Sequence, residues 1–126
     1  QALLEAVGTV VRLKSENQID AVTGVSGSGP AYVFHLIECL AAAGEGQGLA
    51  PELAMQLAKA TVAGAGALAI ASSETPSQLR VNVTSPNGTT QAGLDELMDS
   101  DRGLPPLIRR TVAAATNRSK ELARDA

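Results

Sequence analysis

Pro51-Glu-Leu-Ala-Met-Gln-Leu-Ala-Lys-Ala-Thr-Val-Ala-Gly-Ala-Gly-Ala-Leu-Ala-Ile-Ala71 reads as one long helix, and its composition decides the kind of fold the chain adopts. Proline costs little at the first helical position, where its missing N–H would be unpaired anyway, and Glu52 sets negative charge beside the positive helix end. The pattern continues to about Ser72, and from Ala60 to Ala71 no position is charged. A helix that is apolar on every side must be covered on every side. Ala63, Ala67 and Ala71 recur every four residues, beside Gly64. Such a seam lets another backbone come close, at a cost of up to about 1 kcal/mol per interior glycine relative to alanine. Either a neighbouring helix of the same chain or a second copy fills it. Together with the apolar helix that precedes it, this segment carries more apolar surface than a chain of 126 residues easily encloses. We therefore expect an obligate oligomer, most simply a two-fold dimer.

Moving toward the N-terminus, the preceding helix has only Tyr32, His35 and Glu38 as polar positions and runs to about Ala43, where Gly44, Gly46 and Gly48 end it. Gly24-Val-Ser-Gly-Ser-Gly-Pro30 cannot be regular helix inside, but it starts one well, with Ser28 or Gly29 as N-cap and Pro30 at the first position. Asp20 is expected to cap a short turn, Ser15 to Gln18 to form a polar loop, and Leu3, Leu4 and Val7 to mark a helix from about Ala2 to the patch Val10-Val11. Toward the C-terminus, Thr75-Pro76 starts a short helix to about Val83, and Ser85-Pro-Asn-Gly88 is a turn by composition. A helix from Thr89 and Thr90 carries Leu94, Leu97 and Met98 on one face. Asp101 to Pro106 is expected as a break, and the last helix runs to about Arg124 with Leu104, Ile108, Val112, Ala115 and Leu122 in one stripe. No strand ladder is visible, so the expected class is all-α, about six to seven helices in one domain over residues 1–126.

Composition narrows the function. Roughly one residue in six is alanine, and Tyr32 and Phe34 are the only aromatic side chains. A charged fraction of 18 % and a net charge of −3 fit neither a disordered chain nor a nucleic-acid binder. One cysteine, Cys39, excludes an internal disulfide, and one histidine, His35, excludes His-cluster metal chemistry, so no metal site is expected. The uncharged run of the long helix, Ala60 to Ser73, has 14 residues; roughly 20 are needed to span a bilayer, so no membrane partner is expected. No secretory signal is visible, and a reducing compartment fits. The chain starts with Gln1 inside an amphipathic pattern, as a piece of something longer would.

Most of the conspicuous motifs reduce to structure. Ser26-Gly-Ser-Gly-Pro30 has Tyr32 where a dinucleotide fingerprint needs its third glycine, follows no strand and lacks a P-loop lysine. Nor does Gly24-Val-Ser-Gly-Ser28 make a nucleophile elbow, since serine replaces the final glycine. Tyr32, His35 and Glu38 share a helix face at three-residue spacing, which reads as the wetter face of a buried helix. Cys39 reads as a small core hydrophobe with no basic neighbour in view. The cations of the last helix, Arg109, Arg110, Arg118, Lys120 and Arg124, read as solvated faces.

Val83-Thr-Ser-Pro-Asn-Gly-Thr-Thr90 is the informative exception. It joins a tight turn, four hydroxyl side chains and a helix N-terminus whose first N–H groups are unpaired and point outward. That arrangement receives a carboxylate or phosphate. A plain helix cap would need only one hydroxyl, from Thr89 or Thr90, and both readings stand at this point.

Asp20-Ala-Val-Thr-Gly-Val-Ser-Gly-Ser-Gly-Pro-Ala-Tyr-Val-Phe34, then Gly48-Leu49, the Ala/Gly-rich helix and Val83-Thr-Ser-Pro-x-Gly-Thr-Thr90, in this order and spacing, resemble pyrroline-5-carboxylate reductases. The resemblance covers essentially the whole chain, and it is to the C-terminal half of that family. It implies an interlocking helical dimerisation domain, a homodimer, and larger rings of dimers as a further assembly. It also implies that NAD(P)H is held by an N-terminal Rossmann domain absent from this chain, and that the protein is cytoplasmic. The implied substrate is a cyclic imine carboxylate, reduced at its C=N carbon to L-proline. Its carboxylate would rest on the N–H groups around Ser85, Gly88 and Thr89, assisted by Ser85 Oγ, with the Thr90 hydroxyl at the ring nitrogen as the catalytic group. Two places depart from the family pattern: Asn87-Gly88 stands for Gly-Gly, and Gly103-Leu104-Pro105 for Gly-Phe-Arg. By itself this piece is expected to be inactive. The alternative is a freestanding helical oligomerisation module that binds a small carboxylate without catalysis.

Overall fold

A computed structural model describes residues 16–125. Six α-helices follow in order among them: α1 (Glu16–Val22), α2 (Gly29–Gly46), α3 (Pro51–Ala71), α4 (Pro76–Asn82), α5 (Thr89–Leu97) and α6 (Leu104–Asp125). A π-helical segment, Thr23–Gly27, joins α1 to α2. No strand occurs among the described residues, as the all-α reading requires. The helix expected from Ala2, and Ser15 of the expected loop, lie outside the described residues.

Several local expectations are corrected. The polar residues from Glu16 to Gln18 open α1 instead of looping, and Asp20 sits inside that helix instead of capping a turn. Its carboxylate accepts a 2.7 Å hydrogen bond from Ser119 Oγ on α6. Tertiary contact with α6 and the π segment holds α1 helical where local propensity is weak.

The glycine-rich stretch is no loose loop either. Ser28 N–H donates to Thr23 O at 2.8 Å, the five-residue step of a π turn. Thr23 Oγ1 and Ser26 Oγ each donate to the carbonyl four residues back, Ile19 O and Val22 O, both at 3.0 Å. Gly24 is buried here against α6: a β-carbon would collide with Thr116 Oγ1 and stand 3.0 Å from Val112 O. Glycine at 24 is therefore set by helix approach, and the expectation of an irregular stretch gives way to a wide helical turn running into α2.

By contact, the described chain divides into two compact units, one reaching through Tyr32 and resuming at Glu96, the other Val33–Asp95. In the second, α2 continues past Ala43 to Gly46, because Gly44 and Gly46 are tolerated in the helix and only Gly48, at φ +100°, reverses the chain. Gly48 N–H donates to Glu45 O at 2.9 Å and Leu49 N–H to Gly44 O at 3.1 Å, the paired bonds of a Schellman stop. The turn brings Ala41, Ala54 and Ala58 together, the buried apolar side chains among the described residues, flanked by Ile37 and Met55.

Beyond Ala58, α3 lies open. A β-carbon at Gly64 or Gly66 would meet nothing within 4 Å, and Ile70 is 83 % exposed. No described residue of this chain fills the space over Gly64 and Gly66 beside the Ala63–Ala67–Ala71 seam. Counting uncharged residues also undersells this helix: its 21 residues are long and apolar enough to cross a bilayer by length and composition alone.

In the first unit the expected break from Asp101 to Pro106 ends early. α6 starts at Leu104, with Pro105 and Pro106 in its first turn, where proline is accepted. The connection before it is tight: Asp99 Oδ1 accepts from the N–H groups of Asp101 and Arg102, both at 2.8 Å, and Gly103 N–H donates to Asp99 O at 2.9 Å. Of the expected stripe on α6, Val112 and Ala115 are half-buried, while Leu104, Ile108 and Leu122 remain exposed.

Candidate functional site

The segment between α4 and α5 is built from the N-cap forward. Thr75 Oγ1 accepts from Gln78 N–H at 3.1 Å and starts α4, and Pro76 occupies the first turn. At the other end Thr84 N–H donates to Val81 O at 3.0 Å and Thr84 Oγ1 to Arg80 O. The chain leaves α4 and enters a four-residue turn closed by Gly88 N–H donating to Ser85 O at 3.1 Å. Pro86 presets its second position, and Asn87 takes φ +62° at the third, the signature of a type II turn. Asparagine tolerates that left-handed backbone, so the turn closes with Asn87 at this position.

The first hydrogen bond of α5 runs from Ala92 N–H to Gly88 O at 3.2 Å. Among the described residues this leaves the N–H groups of Thr89, Thr90 and Gln91 without a backbone partner, directed out of the helix end. Ser85, Thr89 and Thr90 are exposed, and none of their hydroxyls is engaged among the described residues. One sequence expectation shifts here. Gly88 N–H is committed to the turn, so Gly88 contributes room in place of a donor: a β-carbon there would stand 3.3 Å from Ser85 O. The unpaired backbone donors at this helix end are those of Thr89, Thr90 and Gln91.

A polar chain that the sequence reading passed over stands just before the turn. Gln78 Nε2 donates to Asn82 Oδ1 at 2.8 Å, and Asn82 Nδ2 to Glu74 Oε2 at 3.1 Å. The four-residue spacing of Gln78 and Asn82 on a capped helix was its available signal.

The other candidates lie elsewhere. Tyr32 leaves the expected polar row, its hydroxyl donating to Gly24 O at 2.8 Å. His35 Nδ1 is 3.1 Å from Glu38 Oε1, and Cys39 Sγ is 3.5 Å from His35 Nε2. Cys39 is exposed in this chain and does have a basic neighbour, which corrects its reading as a core residue. Among the described residues no three His, Cys, Asp or Glu side chains are arranged to hold a metal. Among the described residues the glycine-rich stretch is a helical turn preceded by α1 and not by a strand, so it lacks the setting of a dinucleotide fingerprint.

Comparison with known proteins identifies the family of the fold. The family model for pyrroline-5-carboxylate reductase dimerisation matches residues 16–122. The chain is 47 % identical over 121 residues to a pyrroline-5-carboxylate reductase of Pseudomonas aeruginosa, covering 96 % of this chain and 44 % of the relative. To pyrroline-5-carboxylate reductase 1 of Bacillus subtilis it is 42 % identical over 125 residues, covering 99 % of this chain and 41 % of the relative. Among solved structures, a Coxiella burnetii pyrroline-5-carboxylate reductase superposes with a TM-score of 0.86 at 41 % identity, over 96 % of this chain and 44 % of that one. A Plasmodium falciparum pyrroline carboxylate reductase with NADP bound gives 0.80 at 34 %, over 89 % and 42 %. The chain thus spans about two fifths of the length of the relatives it matches, and it belongs to the pyrroline-5-carboxylate reductase dimerisation family.

Proposed function

We propose that this chain is the dimerisation and substrate-binding part of a cytoplasmic NAD(P)H-dependent reductase that converts 1-pyrroline-5-carboxylate to L-proline. The observation that carries the reading is the free helix end after the Ser85–Gly88 turn, with the Thr89 and Thr90 N–H groups unpaired beside three uncommitted hydroxyls. A carboxylate set there meets backbone donors and the positive end of α5 together. Ser85 Oγ donates to the same carboxylate. The Thr90 hydroxyl then faces the ring nitrogen and orients the imine as that nitrogen keeps its proton. A protonated imine is already a good hydride acceptor, so alignment is the protein's main task. The hydride comes from NAD(P)H, which a Rossmann domain outside this chain would bind.

The same reading makes the protein a homodimer, since α3 leaves its alanine and glycine seam open. Rings of dimers extend that assembly, and neither nucleic acid nor membrane enters it. The test uses the full-length enzyme. Thr90→Ala should lower kcat/KM about 10- to 100-fold, the range for a lost hydrogen bond to a charged group. Ser85→Ala should act mainly on KM. Normal kinetics in Thr90→Ala would remove Thr90 from the mechanism, and a full-length protein without reductase activity would overturn the reading.

A further inference from the structure

Glu74, Gln78 and Asn82 make a connected path that the proposed reaction does not use. Both ends of the Asn82 amide are held, Oδ1 by Gln78 Nε2 at 2.8 Å and Nδ2 by Glu74 Oε2 at 3.1 Å. Gln78 lies one helical turn back on α4, but Glu74 lies outside it, ahead of the N-cap Thr75. Glu74 is itself tied down. Its N–H donates to Ser72 Oγ at 3.0 Å, and Ser72 ends α3 with its own N–H on Leu68 O at 2.9 Å. Hydrogen bonds therefore lead from the last turn of α3, across α4, to a residue three positions before Ser85.

The consequence is mechanical. A seven-residue helix has few bonds of its own to fix its direction, and all of its side chains are at least partly exposed. Asn82 bonded on both sides sets how its last turn sits relative to the end of α3. From there Thr84, bonded to Arg80 O and Val81 O, passes that direction into the Ser85–Gly88 turn. We propose that Asn82, anchored by Glu74, is a positioning residue that sets where the Ser85–Thr90 segment presents its donors. This rests on the reading above of that segment as the substrate-carboxylate site. Since the bonds are exposed, their loss displaces the turn more than it unfolds α4.

In the full-length enzyme, Asn82→Ala should raise KM for 1-pyrroline-5-carboxylate about three- to tenfold, as expected for loss of hydrogen bonds of this kind, with kcat and the thermal midpoint nearly unchanged. Glu74→Ala should do the same, the double variant should be no worse than either single one, and Glu74→Gln, which keeps an acceptor oxygen, should restore most of the affinity. Unchanged KM in Asn82→Ala, additive effects in the double variant, or no rescue by Glu74→Gln would overturn the proposal. If the wild-type enzyme lacked activity on this substrate, the earlier reading would fail, and positioning would be read instead from hydrogen exchange at Gly88 N–H. Asn82→Ala and Glu74→Ala should then speed that exchange equally and Glu74→Gln should not; exchange unaffected by Asn82→Ala would overturn it.

Discussion

Ser119 Oγ donates to Asp20 Oδ1 at 2.7 Å, joining the last helix to the first described one. The pair is partly buried and links elements that no local signal in the chain connects. Ser119→Ala should therefore cost about 1 kcal/mol of folding stability. In chemical denaturation, Asp20→Ala combined with Ser119→Ala should lose little beyond Asp20→Ala alone, and fully additive losses would show that the two do not act as a pair.

Gly24 and Gly103 have no room for a side chain. At Gly103 a β-carbon would collide with Leu97 O and stand 2.5 Å from Asp99 O, and at Gly24 it would meet Thr116 and Val112 O. Backbone atoms cannot turn aside as a flexible side chain can. Gly24→Ala and Gly103→Ala should each destabilise by about 1–3 kcal/mol or more. Gly93→Ala, in open space on α5, should be neutral or stabilising by up to about 1 kcal/mol. Thermal unfolding of the three variants separates these outcomes.

The N–H groups of Arg102, first, and Asp101 hold the Asp99 carboxyl below its ordinary value near 3.8. A depressed folded pKa adds stability that is present above the ordinary value and is lost as pH falls through the folded one. The stability difference between wild type and Asp99→Asn should be largest above pH 3.8 and shrink below it. A difference independent of pH in urea titrations would contradict the assignment.

Much of this fold was legible. Pro51 and Pro76 mark helix starts by chemistry that depends only on neighbouring residues, and Pro86 with Asn87 marks the turn for the same reason. The π segment was not legible, because glycine at 24 answers to Thr116 and Val112, far along the chain. The length of α2 was misjudged because glycine is a stop only where φ turns positive, which singles out Gly48 over Gly44 and Gly46. In the site, the helix end and its hydroxyls were visible in Val83–Thr90, whereas the commitment of Gly88 N–H to Ser85 O depends on the turn type. Glu74 reaches Asn82 from outside α4, ahead of the N-cap Thr75, a pairing that residue spacing within the helix does not reveal.

Gly64 distinguishes a free helix from one that is covered. On an isolated α3, Gly64→Ala meets nothing within 4 Å and should add up to about 1 kcal/mol of helix stability. If a partner backbone closes on that seam, the same methyl group should weaken dimerisation about tenfold or more, through an overpacking cost of roughly 1–3 kcal/mol. Unchanged association would place the partner elsewhere.

Sedimentation equilibrium at micromolar concentration addresses the dimer itself. With α3 open beyond Ala58, the helical chain should sediment at twice its 12.8 kDa mass. A chain that is fully helical by circular dichroism and sediments as a 12.8 kDa monomer would contradict the account.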